Sequence, residues 1–183
     1  MGTRNLTMVV LNKETKVAQY GQWDGYPAGQ GKTILEFLRS ADMEKFRQAI
    51  SETRFATQDE IDKLNEDIEK TGKFPQEFSR DAGGKILDMI LNKGIRLLVN
   101  KEGFAKDSLF CEWAYVVNLD DNTLEVYQGF NKQPLKEGER FFHADTPNVE
   151  YHPVRFLGSV SLTELPSTED FINRFENSET END

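Results

Sequence analysis

Across residues 109–119 every second side chain is apolar or amphipathic: Leu109, Cys111, Trp113, Tyr115, Val117 and Leu119. The positions between them (Phe110, Glu112, Ala114, Val116 and Asn118) are mixed. Successive side chains of a strand point to opposite faces, so this alternation predicts one long strand with a face on a core. The turn cluster Asp120-Asp121-Asn122-Thr123 follows, and residues 124–128 are predicted to return as its hairpin partner. A second hairpin is predicted near the N-terminus, from β-favouring runs at 5–11 and 16–23 flanking the polar turn Asn12-Lys13-Glu14-Thr15. Leu6, Met8 and Val10 alternate with Val9 and Leu11, so both faces of the first run are apolar, as in a central strand covered on both sides.

The segment Asp24-Gly25-Tyr26-Pro27-Ala28-Gly29-Gln30-Gly31 is predicted to hold no regular structure, because Gly and Pro recur through it. Beyond it the signals are helical. Thr33 is placed to cap a helix carrying Ile34, Leu35, Phe37 and Leu38; Asp42 caps the next, with Met43, Phe46 and Ile50 at helical spacing. Thr57-Gln58-Asp59-Glu60 is a capping box ahead of Ile61, Leu64 and Ile68, and Gly72 ends that helix. Gly83-Gly84 precede a short helix over 85–92, with Gly94 at its C-cap. Residues 95–99 and 154–162 read as strands, 129–153 as a long polar loop with short strands, and a last helix after Pro166 carries Phe171, Ile172 and Phe175. The pattern predicts a single α+β domain over 1–176, with a mostly antiparallel sheet built from two hairpins and about five helices. Residues 177–183 are expected to form a disordered acidic tail.

Composition bounds the function. The 183 residues fit one domain, and 13 Phe, 5 Tyr and 2 Trp supply ample core, which excludes a disordered chain. With 22 Lys+Arg against 32 Asp+Glu the net charge is −10, the opposite of what phosphate neutralisation needs, so direct nucleic-acid binding is not expected. Seven acids and one base fall in residues 164–183, so much of the charge sits at the C-terminal end. One cysteine cannot form an internal disulfide, which fits a reducing, cytoplasmic setting. The longest apolar run near the start, Met8-Val9-Val10-Leu11, is too short for a signal core or a spanning helix, and no membrane association is expected. Met1-Gly2 opens like a myristoylation signal, but Leu6 stands where that pattern wants Ser or Thr.

Four constellations bear on chemistry. Gly31-Lys32-Thr33 precedes a helix, as in a phosphate-binding P-loop, but that loop needs a Gly at position 26, where Tyr stands. His143, Asp145, Glu150 and His152 offer i, i+2 pairs of metal-ligand types, interrupted by Pro147 and without further His or Cys. Cys111 falls on the apolar side of its alternation, where burial raises a thiol's pKa and leaves it inert. No cofactor motif is intact, and no cofactor is expected. The fourth constellation is Tyr20, Gln22, Trp23, Asp24 and Tyr26, beside the Gly-rich segment, with Arg4 and Glu112 as further candidates. Large amphipathic side chains next to such a loop suit a recognition surface, although either Trp could equally be a core residue.

The opening Gly2-Thr3-Arg4-Asn5-Leu6-Thr7, the run Tyr20-Gly21-Gln22-Trp23-Asp24-Gly25-Tyr26-Pro27, and Asp107-Ser108-Leu109-Phe110-Cys111-Glu112-Trp113-Ala114-Tyr115 leading to Val126-Tyr127-Gln128-Gly129 together resemble an uncharacterised family of small phage, bacterial and fungal proteins. The resemblance implies no reaction; it implies a phage accessory protein acting on a host component. The first hairpin, ending at Gln22-Trp23-Asp24, is also similar to that of N-terminal-nucleophile hydrolases. That similarity implies an amidohydrolase in which Thr3, once terminal, is nucleophile and base, oriented by Arg4 or Asp24. The leading expectation is a non-enzymatic module that binds a protein partner or small ligand, acting as a regulator. The amidohydrolase is the alternative, and an acidic DNA-mimic inhibitor a weaker one.

Overall fold

The computed structural model describes residues 2–142 and 150–177. Two antiparallel strands, β1 (Asn5–Leu11) and β2 (Glu14–Gly21), open the chain. Their turn uses Asn12 and Lys13 with φ of 54° and 63°, and Asp120 accepts both backbone amides at 2.7 Å. The second hairpin is β5 (Trp113–Asn118) with β6 (Thr123–Gln128), and β7 (Arg155–Ser161) adds to its outer edge, also antiparallel. The two halves meet where β1 and β5 pair in parallel, Asn5 opposite Trp113 and Thr7 opposite Tyr115. The sheet order is therefore β2-β1-β5-β6-β7, mostly antiparallel with one parallel junction at its centre.

Five α-helices accompany the sheet: α1 (Lys32–Ser40), α2 (Met43–Ser51), α3 (Gln58–Thr71), α4 (Ile86–Asn92) and α5 (Thr168–Glu176). Between them, β3 (Arg54–Phe55) and β4 (Leu97–Leu98) form a minimal parallel pair. One sheet face, with Val9, Tyr115, Val117 and Val126, packs on Leu35, Phe46, Ile90 and Phe171 of the helices. The opposite face, with Leu6, Met8, Ala114 and Val116, is covered by a short 3-10 helix (Glu102–Lys106) that contributes Ala105 and by irregular chain that contributes Phe141 and Val154. Both faces of β1 and β5 are thus buried, which is why β1 alternates between two apolar sets.

Local sequence explains most boundaries. Asp42 accepts from the Lys45 amide at 3.1 Å and starts α2. Thr57 and Glu60 complete their capping box, and Gly72, at φ 67°, ends α3 in the left-handed region that Gly tolerates. Several expectations need correction. The predicted strand over 109–119 begins only at Trp113, because Asp107 accepts the Leu109 amide on its side chain and those of Phe110 and Cys111 on its backbone, which turns the chain. That turn moves Cys111 off the helix-covered face and onto the opposite one, beside Leu6 and Met8. Residues Pro27–Gly31 are not structureless; they form a wide π-helical turn that runs straight into α1, so Gly31 takes the N-cap position and Thr33 donates to Gly29 O instead of capping. The strand expected over 95–99 shrinks to β4, and residues 129–142 and 150–153 hold no strand. Of the tail expected over 177–183, Asn177 is ordered as the C-cap of α5, and 178–183 lie outside the described residues.

Candidate binding cleft

The parallel junction of β1 and β5 leaves the N-terminal ends of both strands side by side, and a cleft of about 470 Å³ opens there. Thr3, Glu112 and Trp113 from the strand ends line it together with Tyr26, Ala28, Gln128, Phe130, Glu176 and Asn177. Arg4 ties the two strand ends together. Its amide donates to Glu112 Oε2 at 2.8 Å, its carbonyl accepts from the Glu112 and Trp113 amides, and its guanidinium lies 4.9 Å from the Phe110 ring centre. Arg4 Nε stands 3.7 Å from Glu112 Oε2, too far for a hydrogen bond but close enough to share charge.

The Gly-rich segment is held to this end by buried polar groups. Asn5 Nδ2 donates to the carbonyls of Gly21 and Trp23, both at 3.2 Å, and clamps the chain as it leaves β2. The Gly25 amide donates to Thr3 O, and the buried Tyr115 hydroxyl donates to Gly25 O at 2.7 Å. Only Gly fits at position 25, since a Cβ there would stand 2.7 Å from Thr3 O and 2.9 Å from Asn5 Cβ. Gln30 bridges outward, its Nε2 donating to Trp23 O and its Oε1 accepting from the Gly84 amide. Burial pushes the Tyr115 phenol up, so it stays a neutral donor.

Two cleft-side residues sit in left-handed backbone. Asp24 has φ 55°, with its carbonyl accepting the Gln30 amide and its carboxylate accepting the Tyr26 hydroxyl at 3.1 Å. That hydrogen bond, with the carboxylate's charge behind it, holds the Tyr26 phenol up in its protonated form. Phe130 has φ 52°, a conformation costly for a bulky side chain, and its ring is 54% exposed. Ser108 fixes it there: its carbonyl accepts the Phe130 amide at 2.7 Å and its hydroxyl accepts the Asn131 amide at 3.0 Å. Glu176, from the end of α5, reaches the cleft from the other side and accepts the Ala28 amide at 2.7 Å.

The structure divides the residues singled out from sequence. Thr3, Tyr26 and Glu112 line the cleft, and Arg4 and Asp24 brace it from behind. Tyr20, Gln22 and Trp23 turn the other way. Tyr20 hydrogen-bonds Gln22 and lines a separate groove, while Trp23, 44% exposed, donates its indole N–H to Asp81 at 2.8 Å. Asn5, Tyr115, Phe130 and Glu176 escaped the sequence reading. Glu176 follows Phe175 of the buried helix face at once, a position the helical period could have flagged, whereas nothing local marks Phe130.

The remaining constellations separate as well. Lys32 pairs with Glu36 one turn along α1, and the strand before the π-turn belongs to an antiparallel hairpin, not the parallel setting of a P-loop. His143 and Asp145 lie outside the described residues; Glu150 pairs with Lys132, and the His152 amide donates to Asn131 O. Among the described residues no group of three or more His, Cys, Asp or Glu is arranged to hold a metal ion. Cys111 is fully buried, and desolvation raises its thiol pKa far above the ordinary value. No described helix is long and apolar enough to cross a membrane. Compared with known proteins, the chain matches no family profile, no curated protein and no solved structure.

Proposed function

We propose that this protein is a recognition module that seats a cationic group, an arginine or lysine of a protein partner or a small amine, in the cleft at the β1/β5 strand ends. The observation that carries this reading is Phe130, a bulky residue held in left-handed backbone with its ring exposed at a cleft whose charged lining is two carboxylates. Strain of this kind persists only where the surroundings over-determine it, and it concentrates at binding sites. Glu176 supplies negative charge, Glu112 adds a carboxylate whose charge Arg4 partly offsets, Phe130 and Tyr26 supply exposed ring faces, and no Lys, Arg or His is among the described lining residues. Carboxylates and aromatic faces together favour a desolvated cation. The net charge of −10 steers basic partners toward the surface as a whole.

The test is calorimetric titration with a tetra-arginine peptide at low salt, using tetra-glutamate as control. The expected result is one saturable site that weakens about tenfold in Phe130→Ala or Glu176→Gln, near the upper range of a single cation–π or charged contact. Binding that ignores both substitutions would place the basic peptide elsewhere and overturn the assignment.

The amidohydrolase stands as a second reading because Thr3 lines the cleft together with Glu112. In this chain the Thr3 nitrogen is acylated by Gly2 in a peptide bond and is no free amine, and a side chain on Gly2 would run into Gln22 O at 2.1 Å and the Trp23 ring. Mass analysis of the mature protein decides between the two, since the nucleophile exists only in chains that begin at Thr3.

A further inference from the structure

A second depression, lined in part by Tyr20, has a different chemistry: more apolar, and with bases as well as acids. Helix α3 buries no residue completely, although Ile61, Leu64 and Ile68 recur on one of its faces. That face looks across a groove of about 560 Å³ toward Tyr20 and Phe78, and Phe74, 56% exposed, stands at the lip. The volume falls in the range of small-molecule sites, about 300–1,000 Å³, and such sites are lined mainly by apolar side chains.

The start of α3 is fastened to β3. Glu60 accepts a bidentate pair of hydrogen bonds from Arg54 of β3 at 2.7 and 2.9 Å while completing the capping box. These contacts fix the start of the helix, whose apolar face stays partly exposed.

Four charged side chains line the groove: Glu77, Arg80, Asp81 and Lys101. The lining thus holds two acids and two bases; Asp81 Oδ1 accepts from the indole of Trp23, a residue outside the lining, and Glu77 sits in the first turn of the short helix at 76–78. Arg80 and Lys101 form no ion pair among the described residues, in a chain with ten more acids than bases. Within that balanced lining, Arg80 and Lys101 are the groups beside the apolar trough that can receive one negative end of a molecule with an apolar body.

We infer that this groove binds an amphipathic monoanion, a medium-chain or aromatic carboxylate, with its hydrocarbon part against Ile61, Leu64, Ile68 and Phe78 and its carboxylate at Arg80 and Lys101. This site is independent of the cation cleft and takes a ligand of opposite charge, so either assignment can fail alone.

The experiment is calorimetry of the full chain with octanoate, decanoate, decanol and decyltrimethylammonium, all below micelle-forming concentrations. Decanoate is expected to fill one site and to bind more tightly than octanoate by about fourfold per methylene. The double variant Arg80→Ala/Lys101→Ala should weaken decanoate at least about tenfold and leave decanol unchanged, while Leu64→Gln, at a half-exposed position, should weaken both. Decanoate binding no tighter than decanol would overturn the inference. So would the absence of chain-length dependence, indifference to the double variant, or a self-association that Leu64→Gln dissolves and decanoate does not.

Discussion

Phe130 separates stability from function more sharply than any other residue of the cleft. A non-glycine side chain in left-handed backbone costs roughly 1–2 kcal/mol, and Phe130 accepts that conformation with its ring more than half exposed. Phe130→Gly removes the strain and some partial burial, and adds chain entropy to the unfolded state worth about 0.5–1 kcal/mol. These effects oppose each other. The expected result is a melting temperature within about 4 °C of the parent protein, in a chain of this size, with tetra-arginine binding reduced about tenfold. A large fall in melting temperature would show instead that the ring holds the fold together. Asp24, the other left-handed residue at the cleft, is anchored differently, by the Gln30 amide on its carbonyl and the Tyr26 hydroxyl on its carboxylate. Tyr115 is the hinge of the arrangement: buried in the helix-side core, it spends its one donor on Gly25 O and so fixes the loop to the sheet.

Among the elements, α3 depends most on electrostatics, because it buries nothing completely. Glu60 is its key: the Arg54 guanidinium, then the Thr57 backbone amide, pull its carboxyl from the ordinary 4.5 down to about 2. A depressed carboxyl contributes stability that is fully present above its unfolded-state value and is lost as pH falls through its folded-state value. The first turn of α3 is therefore expected to hold at pH 5 and to fray between about pH 4.5 and 2. An NMR titration following the Glu60 carboxyl and amide should show a midpoint near 2, and Glu60→Gln, which keeps the capping box, should lack the transition. A midpoint at the ordinary value would mean that the Arg54 pair does not hold in solution. This helix was also fully legible in the sequence, from its capping box to Gly72, because each signal lies within four residues of its partner. The two hairpins were legible for the same reason. Their parallel junction was not, since the contact of Asn5 with Trp113 spans more than a hundred residues and leaves no local mark. The start of β5 was misread because the period-2 pattern continues through residues 109–112 while the Asp107 turn overrides it.

For the molecule as a whole, that parallel junction makes a single site out of distant segments. It sets Thr3 beside Glu112 and brings the π-turn against α5, so that Glu176 can meet Ala28 across the cleft. A third of the cleft lining was visible in the sequence, through Thr3, Tyr26 and Glu112; the rest, Phe130 and Glu176 included, arrives through tertiary packing. The same packing sends Tyr20, Gln22 and Trp23 to the groove side, so one short segment of chain separates two depressions of different chemistry. A protein with ten more acids than bases also attracts cations non-specifically, most of all along α3, where Asp62, Glu66 and Glu69 are exposed. Salt screens that diffuse attraction first, whereas a seated cation between carboxylates and rings persists longer. The most direct measurement is a titration of the amide spectrum with arginine ethyl ester at moderate salt. A saturable set of shifts at Thr3, Glu112, Gln128, Phe130 and Glu176, together with the Trp113 indole, is the predicted result; shifts confined to the acidic face of α3, or none that saturate, would contradict it.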